Sequence, residues 1–550
     1  MTAPLLQVEG MSIAAGARRV VEELSFALAP REALALVGES GSGKSATARA
    51  VIGLLPPGLR HAAGRILLEG EDLAAAPAAR LRRLRGPGIG MVFQEPMTSL
   101  NPAHTVGAQM EEGLALHTRL TRAQRRDACV AMMERVGISD AAARLSAFPH
   151  EFSGGMRQRI MLASVMLLRP RLLIADEPTT ALDTLTQAEV LDLMKELVRE
   201  QDSALLLITH DLGLVARYAD RALVMQAGRA VEEGPAAQLL ARPQQDYTRA
   251  LVAALPRRGP ARPPRPTEPP LIEARNLSVA FAGRGGWLRR GRPVEAVRGV
   301  SLTIRPGEVV ALVGGSGSGK TTLGRALLRL APVAGGELLF RGQAMTQAGG
   351  AALLPFRLAC QIVFQDPYSS LDPRMRVREI VAEPLRLPAG LPRPERLARA
   401  EAMLQEVGLG GLGDRFPHAL SGGQRQRVAI ARALVRDPAF VVADEAVSAL
   451  DATVRKQVLS MLAELQRRRS FACLFVTHDL GVVEEIADRI LVMQQGRIVE
   501  EGERDAVLDH PQHGYTRALL AAMPRPPRLA AALDGLSAGL AQQTPAGDPA

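Results

Sequence analysis

Polar and apolar positions along this chain form a pattern that occurs twice. Short unbroken apolar runs, Ala33-Leu-Ala-Leu-Val37, Arg171-Leu-Leu-Ile-Ala175 and Leu205-Leu-Leu-Ile-Thr209, are separated by polar, glycine-rich or charged segments. Runs of about five residues without alternation predict strands buried on both faces, as in a parallel sheet. Each run has a counterpart: Val309-Val-Ala-Leu-Val313, Ala439-Phe-Val-Val-Ala443 and Cys473-Leu-Phe-Val-Thr477. After the first run comes Gly38-Glu-Ser-Gly-Ser-Gly-Lys-Ser45, and Ser45-Ala-Thr-Ala-Arg-Ala-Val-Ile52 then predicts a helix. Strand, glycine-rich turn and helix is the context that makes such a turn a phosphate loop.

The repetition extends to motifs. Gly38–Ser45 returns as Gly314-Gly-Ser-Gly-Ser-Gly-Lys-Thr321, Phe93-Gln-Glu-Pro96 as Phe364-Gln-Asp-Pro367, and Ser153-Gly-Gly-Met-Arg-Gln-Arg159 as Ser421-Gly-Gly-Gln-Arg-Gln-Arg427. Asp176-Glu177 returns as Asp444-Glu445, and Thr209-His-Asp-Leu212 as Thr477-His-Asp-Leu480. Lys44 and Lys320 lie 276 positions apart and Gln94 and Gln365 lie 271 apart. The Ser153/Ser421, Asp176/Asp444 and His210/His478 pairs all lie 268 apart. A nearly constant offset over five motifs marks a tandem duplication. The expected layout is a first α/β domain over 1–255, a Pro/Arg-rich linker over 256–270, a second domain over 271–525 and a low-complexity, poorly ordered tail over 526–550.

Composition narrows the class. A chain of 550 residues with 47% hydrophobic content fits two domains of about 250 residues. No long uncharged apolar stretch predicts a transmembrane helix, and Met1–Gly10 does not read as a signal peptide. Cys129, Cys360 and Cys473 lie far apart and make neither a metal motif nor a disulfide framework. The net charge of +10 reads as arginine spread over a solvated surface, not as a nucleic-acid footprint. Lysine occurs only at Lys44, Lys195, Lys320 and Lys456. Two of these four fill the same slot of the glycine-rich loops, where a compact ammonium suits a phosphate better than a guanidinium fork.

The chemistry follows from these placements. In each loop, glycines let backbone N–H groups wrap phosphates, and the following helix adds a favourable dipole. The candidate nucleotide contacts are Gly38, Ser40, Gly41, Gly43, Lys44, Ser45 and Ala46, then Gly314, Ser316, Gly317, Gly319, Lys320, Thr321 and Thr322. Ser45 and Thr321 are candidate Mg2+ ligands together with Asp176, Asp444, Gln94 and Gln365. Glu177 and Glu445 would polarise the attacking water, with the two glutamines nearby. A lone histidine is more often structural. His210 and His478 both follow apolar runs at the same distance from the acid pair, which favours a γ-phosphate contact.

The ordered set of phosphate loop, Gln94/Gln365 loop, Ser-Gly-Gly signature, acid pair, Ala-Leu-Asp at 181–183 and 449–451, and switch histidine resembles the ATP-binding cassette family. The resemblance covers both halves. It implies two P-loop NTPase cassettes, each a RecA-like core with a helical subdomain (97–165 and 368–430) and an antiparallel β subdomain. It also implies two crossed ATP sites. Lys44, Ser45, Gln94, Asp176, Glu177 and His210 would face Ser421, Gly423 and Gln424. Lys320, Thr321, Gln365, Asp444, Glu445 and His478 would face Ser153 and Gly155. Phe148-Pro-His-Glu-Phe152, Phe416-Pro-His-Ala-Leu420 and the closing Tyr-Thr-Arg-Ala-Leu at 247–251 and 515–519 resemble the dipeptide/oligopeptide/nickel importer subfamily, particularly fused members that import glutathione or microcin C-like peptides. The implied protein is an ATPase with ATP and Mg2+. One chain per transporter would sit on the cytoplasmic face of the bacterial inner membrane, bound to two permeases and served by a periplasmic binding protein. A sugar-importer ATPase and a soluble, non-transport tandem cassette are the alternatives.

Four departures from the family pattern stand out. The family's adenine-stacking aromatic is Ala15 in the first half, whereas Phe281, with Trp287 in a nearby insertion, occupies the matching place in the second. The first signature reads Phe-Ser-Gly-Gly-Met, not Leu-Ser-Gly-Gly-Gln. Ala419 stands for the expected glutamate, and Ala446 for the proline after the second acid pair. None of these removes a catalytic group, so both sites are expected to hydrolyse ATP.

Overall fold

The computed structural model describes residues 3–93, 99–179, 182–256, 258–259, 268–283, 291–387, 391–448 and 450–523. Gln94, Ala181, Ala449, Trp287, most of the linker and the tail lie outside them. Among the described residues the chain divides into two compact units, the first running to Leu182 and over Thr186–Leu255, the second made of Asp183–Leu185 and Pro256–Met523.

In the first unit the apolar runs are strands of one six-stranded sheet. Its order is Arg229–Pro235, Arg221–Gln226, Ala33–Val37, Ala204–Thr209, Leu172–Asp176 and Ile89–Val92. Four of its five pairings are parallel, and the edge pair Arg229–Pro235 with Arg221–Gln226 is antiparallel. Leu34, Ala35 and Leu36 have no exposed surface, as a strand covered on both faces requires. A second sheet is antiparallel: Leu6–Ala15 pairs with Arg18–Leu28 on one side and Leu59–Leu68 on the other. The helix Lys44–Val51 buries Ala48 and Val51 in a core shared with both sheets, with Val8, Ile13, Leu34 and Leu36. Beyond the main sheet lies a helical layer, chiefly Val106–His117, Arg122–Arg135 and Gly154–Met166.

The second unit repeats this plan. Its main sheet runs Cys360–Val363, Phe440–Asp444, Ala472–Val476, Val309–Val313, Arg489–Gln494 and Arg497–Glu503. Its antiparallel sheet pairs Ile272–Gly283 with Gly291–Ile304 and Gly335–Phe340. The hairpins differ in length: Leu6 opposes Leu28 in the first, whereas Ile272 opposes Ile304 in the second, which therefore encloses ten more residues. Counting along the strand from Leu6 and Ile272 places Ala15 and Phe281 at equivalent positions. The mixed α/β fold of both halves is the one expected.

Register fixes where chemistry can occur. Val37 lies beside Thr209, and Asp176 beside Ile208. In the second unit Leu312 lies beside Val476, and so does Asp444 on the other side. Three strands therefore end together, and the segments after them converge at the carboxyl edge of the sheet, where ligands of open α/β sheets bind.

The signature helices are locked to the helices that follow the acid pair. A Cβ on Gly155 would stand 2.3 Å from Thr186 Cγ2, and one on Gly423 2.2 Å from Val454 Cγ1. Glycine is required there by packing, whatever else it does. Gly423→Ala should cost about 1–3 kcal/mol in urea unfolding. Combining it with Val454→Ala should cost clearly less than the two single changes added together, because the partner methyl groups that block the Cβ are gone.

Candidate functional site

In each unit the phosphate loop wraps its own lysine. Lys44 Nζ donates to the carbonyls of Gly38 (2.7 Å) and Glu39 (2.8 Å) and to Ser42 Oγ (3.3 Å). Lys320 Nζ donates to the carbonyls of Gly314 and Gly315, both at 2.8 Å. Only 5% and 6% of these lysines is exposed. Burial holds the Lys320 ammonium below its ordinary pKa, against the opposing pull of Glu445. Ser40, Gly41, Ser316 and Gly317 form the exposed crests of the loops. Gly319 enters its helix with φ 104°, and a Cβ there would press to 2.3 Å from the Ala296 carbonyl oxygen. Only glycine meets both conditions. Ala46 and Thr322 follow in the first helical turns.

The hydroxyl after each lysine meets the aspartate of the neighbouring strand. Ser45 Oγ donates to Asp176 Oδ1 at 2.8 Å, and Thr321 Oγ1 to Asp444 Oδ1 at 2.9 Å. Both aspartates are buried, and burial raises both carboxyl pKa values. Asp176 Oδ2 is buried without a hydrogen-bond partner among the described residues. An orphan carboxylate oxygen next to a hydroxyl oxygen is a hard donor set, and it fits a Mg2+ ion shared with nucleotide phosphates.

The next residue carries the second acid. Glu177 and Glu445 adopt φ of 46° and 48°, a left-handed conformation that costs a non-glycine residue about 1–3 kcal/mol. Each is fixed by its own N–H, donated to the carbonyl of Ile208 (3.0 Å) or Val476 (2.9 Å). The turn aims the carboxylates at the histidines: His210 Nδ1 lies 3.1 Å from Glu177 Oε1, and His478 Nδ1 lies 3.3 Å from Glu445 Oε1. Gln365 Nε2 donates to Glu445 Oε2 at 2.7 Å. Burial pulls the Glu445 pKa upward, but the hydrogen bond and charge of His478 and the charge of Lys320 outweigh it, leaving the carboxyl below its usual range. Burial conversely pulls His478 down, and Glu445 overrides it, so the imidazole titrates above its ordinary value. The histidine loops are set locally. Thr209 Oγ1 accepts the Asp211 N–H and Asp211 Oδ1 accepts the Gly213 N–H, with Thr477, Asp479 and Gly481 repeating the arrangement.

Lys44, Ser45, Asp176, Glu177 and His210 are thus brought together in one unit. Lys320, Thr321, Gln365, Asp444, Glu445 and His478 come together in the other. Phe281 is exposed on its strand, opposite Val294.

The signature serines are helix N-caps. Ser153 Oγ accepts the Met156 N–H, and Ser421 Oγ accepts the Gln424 N–H. Gln424 also returns the bond, since its Oε1 accepts the Ser421 N–H at 3.0 Å. Met156 has no such oxygen. The first unit makes its side-chain bond one turn earlier, where Glu151 Oε1 accepts the Phe148 N–H at 2.7 Å, a place occupied by Ala419 in the second. The two departures from the family pattern therefore trade one capping bond for another.

Two contacts were not foreseen from the sequence. Tyr247 Oη accepts the Glu39 N–H at 3.2 Å, and Tyr515 Oη accepts the Gly315 N–H at 2.7 Å. The signal available was the recurrence of Tyr-Thr-Arg-Ala-Leu itself.

The ABC transporter family model matches residues 21–180 and 297–448. The model for the oligopeptide/dipeptide transporter C-terminal region matches 231–284 and 499–546. The peptidoglycan transport ATP-binding protein YejF of Agrobacterium fabrum is 47% identical over 529 residues, covering 95% of this chain and 96% of its own. The glutathione import ATP-binding protein GsiA of Escherichia coli O157:H7 is 46% identical over 539 residues, covering 92% and 86%. Among solved structures, a dimeric ATP-binding cassette in a post-hydrolysis state with ADP and Pi is 28% identical, covers 42% of this chain and 98% of its own, and has a TM-score of 0.39.

The chain belongs to the ABC transporter family of ATP-binding, ATP-hydrolysing cassette proteins. Within that family it is a fused, two-cassette ATPase of the peptide-importer type, which sets aside the sugar-type and non-transport alternatives. As the ATP-binding subunit of an importer it has membrane permease partners, and among the described residues no helix is long and apolar enough to cross a membrane.

The capping exchange gives a direct test. Gln424→Met, which makes the second signature resemble the first, should lower stability in urea unfolding by about 0.5–1 kcal/mol through loss of the reciprocal cap.

Proposed function

We propose that this chain uses Mg2+ and ATP to energise import of peptides or related small solutes, glutathione or microcin C-like peptides included. One fused chain would serve one transporter at the cytoplasmic face of the bacterial inner membrane. It would act with two permeases and a periplasmic binding protein. The observation that carries this reading is the pair of buried loop lysines, each folded onto its own carbonyls beside a hydroxyl–aspartate pair and a glutamate–histidine pair. A buried ammonium held on the carbonyls at the entry of its own loop stands where a bound phosphate would meet it.

In the proposed reaction Lys44 and Lys320 neutralise the β/γ-phosphates. Ser45 with Asp176, and Thr321 with Asp444, hold the metal, helped by Gln94 and Gln365. The metal, when bound, neutralises charge developing on the phosphoryl oxygens. Glu177 and Glu445 accept a hydrogen bond from the attacking water, while His210 and His478 hold the γ-phosphate. The family resemblance supports crossed sites, in which Ser421, Gly423 and Gln424 serve the Lys44 half, and Ser153 and Gly155 serve the Lys320 half. The N-capped signature helices suit that role, since their first N–H groups face an anion favourably.

Crossing makes a sharp prediction. Glu445→Gln should abolish turnover at the Lys320 half and leave the residual ATPase activity to the Lys44 half. In that background Ser421→Ala should remove most of the remaining phosphate release, and Ser153→Ala should not. The opposite order would mean that each cassette uses its own signature. For transport, cells carrying Glu177→Gln with Glu445→Gln should lose uptake of radiolabelled peptide while the chain still co-purifies with permease from membranes. Absence of any permease from those preparations would sink the transport assignment.

The unequal aromatic position predicts unequal affinity. Ala15→Phe should tighten ATP binding at the first site by about tenfold, the lower part of what stacking a base on an aromatic ring contributes. Phe281→Ala should weaken the second site by a similar factor, read by titration with a fluorescent ATP analogue.

A further inference from the structure

Both cassettes close with Tyr-Thr-Arg-Ala-Leu, and hydrolysis as described leaves these residues without a task. Their tyrosines reach the phosphate loops. Tyr247 Oη accepts the N–H of Glu39 at 3.2 Å, and Tyr515 Oη accepts that of Gly315 at 2.7 Å. Glu39 and Gly315 are the second residues of their loops, and their carbonyls accept from Lys44 and Lys320 at 2.8 Å. One residue of each loop is therefore held from both sides, its N–H by tyrosine and its C=O by lysine.

The tyrosine is itself braced from behind. Glu232 accepts the N–H groups of Gln244 (2.8 Å) and Gln245 (3.1 Å) immediately before the helix Asp246–Ala253. Glu500 accepts those of Gln512 (2.7 Å) and His513 (3.0 Å) before the helix Gly514–Ala522. The next residues, Thr248 and Thr516, are buried and seat the helices. A Cβ at Gly315 would stand 3.1 Å from Tyr515 Oη.

We propose that Tyr247 and Tyr515 are positioning residues for ATP. When a phosphate draws the lysine away from the Gly38/Glu39 or Gly314/Gly315 carbonyls, the entry limb of the loop loses that restraint. The tyrosine bond stays and keeps the limb in its binding shape, so the ordering cost does not fall on the nucleotide. The C-terminal segment of each cassette thereby sets nucleotide affinity. The inference rests on the reading of these loops as ATP sites.

The test uses the full chain and Mg2+–AMP-PNP as the probe. Tyr247→Phe with Tyr515→Phe should weaken binding about three- to tenfold, the effect of one hydrogen bond per site, and raise the KM for ATP in proportion. The kcat should stay within about twofold of the unsubstituted chain, since the tyrosines touch the loop backbone and none of the reacting groups. No loss of affinity, or a fall in kcat with KM unchanged, overturns the proposal. Failure of the unsubstituted chain to bind the probe would instead overturn the ATP-site reading. Should the phenylalanine pair not fold, hydrogen exchange of nucleotide-free Tyr515→Phe decides: exchange in the segment 313–321 should rise, and no rise overturns the proposal.

Discussion

In each cassette the lysine lies more than a hundred residues before the acid pair and the histidine 33 positions after its glutamate, and backbone hydrogen bonding in a parallel sheet brings them together. The pairing of Val37 with Thr209 and of Asp176 with Ile208 ends three strands at one edge. A one-residue slip would turn every side chain of a strand to the opposite face. Since both faces are covered by core, such a slip is strongly opposed, and the strand ends stay aligned to within a residue. The site inherits its precision from that register, and the loops only complete it.

Some of what converges there is costly. A lysine is buried on its own loop's carbonyls, Asp176 Oδ2 has no hydrogen-bond partner among the described residues, and both glutamates sit in a strained backbone conformation. Each feature costs stability, and on the proposed reading an anion with its metal would offset the first two. Stable sheets on either side allow this concentration of unfavourable terms. The Gln365–Glu445–His478 chain shows the other half of the design. There polar groups satisfy one another and keep the carboxyl ionised, as a hydrogen-bond acceptor for water must be.

Much of this was legible in the sequence because it is local or periodic. Ala33–Val37 is a strand over the very residues of its apolar run, and the acid-pair strands begin one residue later than the runs suggested. The loop, its helix and the Asp–Glu step are each contained within a dozen residues. What stayed hidden depends on contacts across the chain. Gly155 reads as a signature residue, yet its packing against Thr186 needs the fold. Tyr247 lies 208 positions from Glu39, and no spacing rule connects them. The exchange of Glu151 and Gln424 as caps likewise appeared only as two unrelated departures.

These hidden contacts bear on why the cassettes differ while their chemistry does not. Two of the differences exchange one capping bond for another, two lie at the positions proposed to set nucleotide affinity, and nothing in the structure explains Ala446. Met156 gives up a cap while Glu151 supplies one. The tyrosine bond is 3.2 Å at Glu39 and 2.7 Å at Gly315. Ala15 forgoes an aromatic that Phe281 provides. The lysine, hydroxyl, aspartate, glutamate and histidine are retained in both halves within a few tenths of an ångström of the same distances. A duplicated chain can let the affinities of its two sites drift apart, because loss at one is tolerated while the other still closes on nucleotide. It cannot let the hydrolytic geometry drift in the same way, because a phosphoryl transfer depends on placement to a fraction of an ångström.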